Sequence, residues 1–264
     1  MKEFQQKNYW AIVLGGSSGL GLATAQKLAQ HGCHICIVHR NRKGELKEIE
    51  VEFSKIKKEG VELLTFNIDA LNEEKRAFVI QRLKEKLGVD SKVRVLVHSL
   101  AKGNLKPMIS TDEPTLKKDD FRLTIEAMAI SLYDWTKAVF DNKLFAPDAR
   151  VISFTSEGNT KAWRNYAAVS AAKASLEAIT RNMALEFAGH GIRANCIQAG
   201  ATDTASFRAI PGSEMIKEHS LLRNPFGRIT TPQDVANVVY LLCKDEAAWI
   251  NGSIIPVDGG EHVS

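Results

Sequence analysis

Trp10-Ala-Ile-Val-Leu14-Gly15-Gly16-Ser17-Ser18-Gly19-Leu20-Gly21-Leu22-Ala-Thr-Ala-Gln26 decides the fold. A short apolar, β-branched run ends at Gly15, and a segment of helical period begins four residues later, at Gly19. The stretch therefore reads as strand, tight turn, helix. Gly15, Gly19 and Gly21 let the backbone turn sharply and come close to a pyrophosphate, while the amides of Ser17, Ser18 and Leu20 stand at the positive end of the helix. Such a unit near the start of a chain predicts a dinucleotide site.

The same alternation continues along the chain. Apolar runs at Ile35–Val38, Leu63–Phe66, Val93–Val97, Val151–Phe154, Ala194–Ile197 and Ser253–Val257 join Trp10–Leu14 as seven expected strands. Between them lie helical segments over Gly19–His31, Lys43–Glu59, Asn72–Leu87, Lys117–Asn142, Asn165–Ala188 and Pro232–Cys243, the last with Thr231 as cap and Pro232 in the first turn. Strands separated by helices predict an α/β fold with a doubly wound parallel sheet. No repeat, low-complexity stretch or Pro/Gly-rich linker divides the chain, so residues 1–264 read as one domain. The weakly periodic stretch 205–228 reads as an insertion that serves as a lid.

Composition narrows the function. The chain has 264 residues, 44% of them apolar and 25% charged, which suits a globular core. A net charge of +4 from 35 basic and 31 acidic residues is too slight and dispersed for a nucleic-acid groove. It is compatible with an anionic cofactor or an acidic carrier. No apolar run reaches the length of a membrane span, and Met1-Lys-Glu-Phe-Gln-Gln-Lys7 lacks the apolar core of a secretion signal, so a cytoplasmic protein without membrane contact is expected. Cys33-His-Ile-Cys36 has redox or zinc spacing, but it lies in a strand-like run with no second pair. The scattered histidines add no ligand pattern, and no metal is expected.

Two further segments carry chemistry. After the second expected strand stands His39-Arg40-Asn41-Arg42-Lys43, with no acidic residue to accept ribose hydroxyls. Arg40 and Arg42 are instead suited to a 2′-phosphate, which favours NADPH over NADH, with Arg40 the better candidate. Asn67 and Ile68 are placed to bracket the adenine, and Asp69 competes for that role. Farther on, Tyr166-Ala-Ala-Val-Ser-Ala-Ala-Lys173 sets a phenol and an ammonium two helical turns apart on one face. A proton donor and a cation follow, and the ammonium would favour phenolate character.

Together with Arg193-Ala-Asn195-Cys-Ile-Gln-Ala-Gly200 and Gly252-Ser-Ile-Ile-Pro-Val-Asp258-Gly-Gly260, these motifs make the whole chain resemble the short-chain dehydrogenase/reductases. The resemblance implies a Rossmann fold and a nicotinamide cofactor. Three departures are informative. Most members place Tyr four residues before Lys, where this chain has Val169; His98-Ser99-Leu100-Ala101 replaces the usual Asn-Asn-Ala-Gly; and Met128 stands where the relay Asn is expected. All three resemble the enoyl-[acyl-carrier-protein] reductases, of the minority type that keeps the Gly-x3-Gly-x-Gly loop, and Lys173-Ala-Ser-Leu-Glu177 agrees with them.

That resemblance implies reduction of the C2=C3 bond of a trans-2-enoyl thioester. Tyr166 would hydrogen-bond the enolate oxygen, and Lys173 would hold the nicotinamide ribose. Ser156, where the commonest enoyl reductases carry a second Tyr, would either bind the substrate carbonyl or cap a turn. Ser99, Leu100, Ala101, Gly200, Thr202 and Thr204 are expected along the cofactor, and Gly103, Phe207 and Ile210 along the acyl group, with Met215 and Leu221 also in the lid. Arg208, Lys217 and Arg223 are candidates to face an acyl carrier protein. A homotetramer is implied, with the Tyr166 helix and the segment near Asp258 at its interfaces. Carbonyl reduction and dienoyl or enoyl coenzyme A reduction are the competing activities.

Overall fold

The computed structural model describes residues 2–264. Seven strands, β1 (Tyr9–Leu14), β2 (His34–His39), β3 (Leu63–Asn67), β4 (Lys92–His98), β5 (Phe145–Thr155), β6 (Ile192–Ala199) and β7 (Ile254–Val257), form one sheet in the order β3-β2-β1-β4-β5-β6-β7. All neighbours are parallel. Every expected strand is present; the five inner strands are largely buried on both faces, which favours apolar runs, while the edge strands β3 and β7 are only partly buried. In β1, Trp10, Ile12 and Leu14 enter one core while Ala11 and Val13 enter the other.

Helices α1 (Gly19–Gln30), α2 (Leu46–Lys58) and, later in the chain, α9 (Pro232–Cys243) cover one face. Helices α3 (Glu73–Leu87), α4 (Lys118–Ile125), α5 (Ser131–Asp141) and α6 (Ala167–Glu186) cover the other. The expected start of α9 holds: Thr231 Oγ1 accepts from the Asp234 amide at 3.3 Å. The strand order reverses between β1 and β4, and the crevice beyond the carboxyl ends of these strands is where such sheets bind ligands.

Three segments differ from the sequence reading. The single helix expected over Lys117–Asn142 is interrupted by a π-helical stretch, Glu126–Ile130, between α4 and α5. Periodicity smears over one inserted residue and does not reveal it. Helix α6 begins at Ala167, so Tyr166 is its N-cap, with φ −109°, and not part of its face. The lid stretch carries two helices, α7 (Ala205–Arg208) and α8 (Ser213–Arg223). Cys33 and Cys36 are buried in opposite cores, and burial pushes the Cys36 thiol up to about 12. Cys33 immediately precedes β2 and Cys36 lies within it, so their spacing is that of two buried residues on opposite faces of one strand. No helix among the described residues is long and apolar enough to cross a membrane.

Candidate active site

A cleft of about 580 Å³ opens at the strand carboxyl ends, running from the glycine turn past α6 to the lid. The turn is held by the strands beside it. Gly15 has φ +80°, and a Cβ there would lie 2.4 Å from the Ser99 carbonyl oxygen; a Cβ on Gly21 would lie 2.3 Å from that of Gly15. Only glycine allows these approaches. Gly15, Ser17, Ser18, Gly19 and Leu20 line the cleft, whereas Gly21 serves the packing behind them. Helix α1 has no acidic residue in its first turn and no side-chain cap, so its positive end faces the cleft unopposed.

At the outer end, Arg40 and Ile68 line the cleft as expected, and Asp69 joins them, its carboxylate 2.7 Å from Arg40 Nη1. Two expectations are corrected. Asn67 is turned to the neighbouring loop, where its carboxamide accepts from the Asn41 amide at 2.9 Å and donates to the Asn41 carbonyl at 3.1 Å. Arg42 lies outside the cleft at the start of a short 3₁₀ turn, its amide donating to Glu45 at 3.0 Å. Asn67 thus shapes the ribose loop from behind, and Arg40 is the basic group that faces the cleft from it.

Along the middle, Ser99, Leu100, Ala101, Gly200, Thr202 and Thr204 all line the cleft. Thr204 caps α7 by accepting from the Phe207 amide at 3.2 Å, and a Cβ on Gly19 would touch its methyl at 3.4 Å, so the lid begins directly over the glycine turn. Thr202 Oγ1 donates to the Gly200 carbonyl at 2.8 Å, which fixes the loop after β6. His98 Nε2 lies 2.7 Å from Ser131 Oγ, and Ser131 in turn donates to the Ala127 carbonyl in the π stretch at 2.8 Å. Burial, reinforced by nearby Lys173, lowers His98 to about 3, so it is neutral and structural.

The chemical centre lies where α6 meets the end of β5. Tyr166 is only 6% exposed, and its hydroxyl stands 3.4 Å from Ser156 Oγ. Ser156 makes no side-chain cap to the following 3₁₀ turn and lines the cleft. Lys173 is buried, donates to the Phe154 carbonyl at 2.6 Å and lines the cleft, keeping two further N–H donors. Burial lowers it to about 8, against the pull of Cys196 and Glu177. The expectation of phenolate character at Tyr166 is overturned: burial raises its pKa above the ordinary 10, and only the Ser156 hydrogen bond works against this. The phenol is a donor throughout the neutral range.

Gly158 was missed from the sequence, which carries no signal for it. A Cβ there would lie 2.4 Å from Tyr166 Cε1, so the ring packs flush on the backbone after Ser156. Gly158→Ala is expected to lower kcat at least about 10-fold by tilting the phenol, with cofactor affinity retained. Steady-state rates beside a cofactor titration check this, and an unchanged kcat would show that the ring tolerates the methyl group.

On the substrate side, Gly103, Met128, Trp163, Val169, Phe207 and Ile210 line the cleft. Gly103 is forced, since a Cβ would meet Val169 at 2.7 Å. Met215 and Leu221 are corrected: Met215 is 73% exposed, and neither lines the cleft, where α8 presents Ile216 and Ser220 instead. Arg208 and Lys217 share Asp203 at 2.7 and 3.0 Å. Arg223 is no surface cation; it grips both oxygens of Glu157, the residue after Ser156, at 3.2 Å each.

The family model described as Enoyl-(Acyl carrier protein) reductase matches residues 15–262. The chain belongs to that family, within the short-chain dehydrogenase/reductases. It is an oxidoreductase, and its family implies NAD(P)(H) as cofactor. The 3-oxoacyl-[acyl-carrier-protein] reductase FabG of Pseudomonas aeruginosa is 28% identical over 96% of this chain and 97% of its own length. The enoyl-[acyl-carrier-protein] reductase [NADH] FabI of Aquifex aeolicus is 29% identical over 64% of this chain and 62% of its own. The crystal structure of that Aquifex aeolicus enoyl reductase superposes with a TM-score of 0.83, at 24% identity, covering 98% of both chains. This last likeness concerns the fold.

Proposed function

We propose that the protein reduces the C2=C3 double bond of trans-2-enoyl thioesters with NADPH, the acyl group being carried by acyl carrier protein. The observation that carries the reading is the place of Tyr166. Val169 occupies the helix position four residues before Lys173, and the phenol lies at the α6 cap instead. In carbonyl reduction the hydride and the proton go to adjacent atoms, so the donor stands beside the acceptor carbon. In enoyl reduction the hydride goes to C3 while charge develops on the thioester oxygen, and a donor set back along the substrate meets that oxygen.

A bound nicotinamide supplies the hydride. Lys173 holds the ribose through its remaining donors and adds positive charge. The Tyr166 hydroxyl donates to the enolate oxygen as charge builds there, with Ser156 close enough to act as a second hydroxyl. Leu100, Met128, Val169 and Ile210 exclude water from the acyl side. Arg40 supports the choice of NADPH, its guanidinium lying at the cleft edge in an ion pair with Asp69 that leaves other N–H donors for a 2′-phosphate.

A second reading, reduction of a 3-oxoacyl thioester, is favoured by the Ser156–Tyr166 hydroxyl pair, which is equally able to polarise a ketone. Loss of NADPH absorbance with a trans-2-enoyl thioester, set against the matching 3-oxoacyl thioester and with NADH run beside each, tests both. Selective turnover of the enoyl substrate is expected; turnover of the 3-oxo substrate alone would overturn the proposal. A homotetramer is also proposed, supported by the apolar exposure of Leu185 on α6 and of Trp249. Sedimentation velocity showing a monomer would remove it.

A further inference from the structure

The turn that carries Ser156 is gripped from beneath by one buried carboxylate that the mechanism above does not use. Glu177 lies one helical turn beyond Lys173 on α6 and is 7% exposed. Its Oε1 accepts from Thr155 Oγ1 at 2.6 Å and from the side-chain amide of Asn159. Thr155 immediately precedes Ser156, and Asn159 immediately follows Gly158. The two bonds therefore bracket the three residues Ser156, Glu157 and Gly158. Asn159 makes no other side-chain hydrogen bond among the described residues.

What lies inside the bracket is the geometry on which the Tyr166 donor depends. Ser156 Oγ reaches the phenol at 3.4 Å, and the Gly158 backbone forms the flat wall against the ring. Lys173 adds a third attachment through the Phe154 carbonyl. Helix α6 thus holds the cofactor-side lysine and, through its next turn, the loop opposite the phenol. Burying a carboxylate costs free energy unless it is well partnered, and here both bonds go to the two ends of one short turn.

We infer that Glu177 is a positioning residue that sets Ser156 and Gly158 against Tyr166, acting through Thr155 and Asn159. The inference rests on Tyr166 being the donor of the reductase reaction, whichever thioester is reduced. Its removal releases the turn, lets the hydroxyl pair separate, and lowers the rate of the chemical step while leaving the cofactor groove intact.

The test uses Glu177→Ala, Glu177→Gln, Asn159→Ala and the double variant Glu177→Ala/Asn159→Ala. Each is assayed with whichever thioester the parent reduces, with NADPH affinity read separately by fluorescence titration and Tm by calorimetry. Glu177→Ala is expected to lower kcat about 30-fold and Asn159→Ala about 10-fold, with the double variant no worse than Glu177→Ala. Glu177→Gln, which keeps an acceptor oxygen, is expected to recover most of kcat. An effect of its lost charge through Lys173 would instead lower NADPH affinity together with kcat, in Glu177→Gln as much as in Glu177→Ala.

The inference is overturned if Glu177→Ala keeps kcat within twofold of the parent, if the losses multiply in the double variant, or if kcat and NADPH affinity fall together with no recovery in Glu177→Gln. Should Glu177→Ala not fold, Asn159→Ala decides: an unaffected kcat at parental Tm overturns the inference. Failure of the enoyl reading is seen in the parent, as refusal of the enoyl substrate, before any variant is compared.

Discussion

Tyr166→Phe is expected to lower kcat by about 10²- to 10³-fold, while the dissociation constant for NADPH changes by less than about threefold. The hydroxyl is the only atom lost, and its one side-chain partner is Ser156 at 3.4 Å, too long to be a strong bond. The ring stays where it is, held among Ala127, Met128, Val169 and Ala172, with Trp163 at 5.2 Å between ring centres. Packing and cofactor groove are therefore unchanged, and the variant reports on the donor alone. Because burial keeps the phenol protonated, the loss is that of a hydrogen bond to a developing oxyanion, made only in the transition state. Steady-state kinetics beside a cofactor titration read both quantities. A Phe variant with undiminished kcat would remove Tyr166 from the mechanism, and a parallel loss of NADPH affinity would make it a cofactor residue.

Tyr166 also shows what a sequence can and cannot convey. Its separation from Lys173 placed the two together, because two turns of helix fix an approximate distance. The separation did not disclose that α6 starts at Ala167, since Asn165 departs from the helix with φ +62°, a tertiary choice without a local signature. The five inner strands were readable because they are largely buried on both faces, which favours an apolar run; the edge strands β3 and β7 are only partly buried and were read from their β-branched and apolar residues between turns. The glycine turn was readable because strand, glycines and helix follow one another in the chain, and the structure shows why those positions are glycine: Gly15 and Gly21 leave no room for a Cβ against Ser99 and each other.

Residues whose partners are remote in sequence were not readable. Asn67 looked like an adenine contact because it ends β3, yet it bonds Asn41 from the adjacent strand end. Arg223 looked like a surface charge on an amphipathic lid until its partner, Glu157, was known. Gly158 and Glu177 act on Tyr166 and on the Ser156 turn only through the fold. For the same reason the exposed Met215 and the cleft-facing Ile216 are adjacent in sequence and opposite in role. Helix α8 is short and lies across the cleft mouth, so its apolar pattern does not announce which side is covered.

Lys173→Met is expected to abolish turnover by about 10³-fold or more, weaken NADPH binding, and leave Tm at or above that of the parent. The lysine is buried, and a fall from 10.5 to about 8 corresponds to a cost of about 3 kcal/mol for keeping it charged in the folded protein. The unfolded chain holds that proton up to pH 10.5 and the folded one only to about 8. The penalty is therefore full below pH 8 and fades as pH rises from 8 to 10.5. Methionine removes it while filling nearly the same volume, and the loss of the bond to the Phe154 carbonyl offsets about 1 kcal/mol of the gain. The same titration governs catalysis. Around Lys173, His98 stays neutral down to about 3, burial raises Tyr166, and Cys196 is pushed up to about 11, chiefly by burial. Between pH 6 and 9, roughly, Lys173 is the group among these that changes charge. The kcat/KM for NADPH, which reads the free enzyme, is expected to fall as pH rises through about 8, where the ammonium that meets the anionic cofactor is lost. In the Met variant that alkaline limb disappears from the pH dependence of NADPH affinity. A limb that survives the substitution would belong to another group. A Tm several degrees below the parent's would mean that Lys173 holds the fold together, and that its burial is a structural contribution and not a cost borne for function.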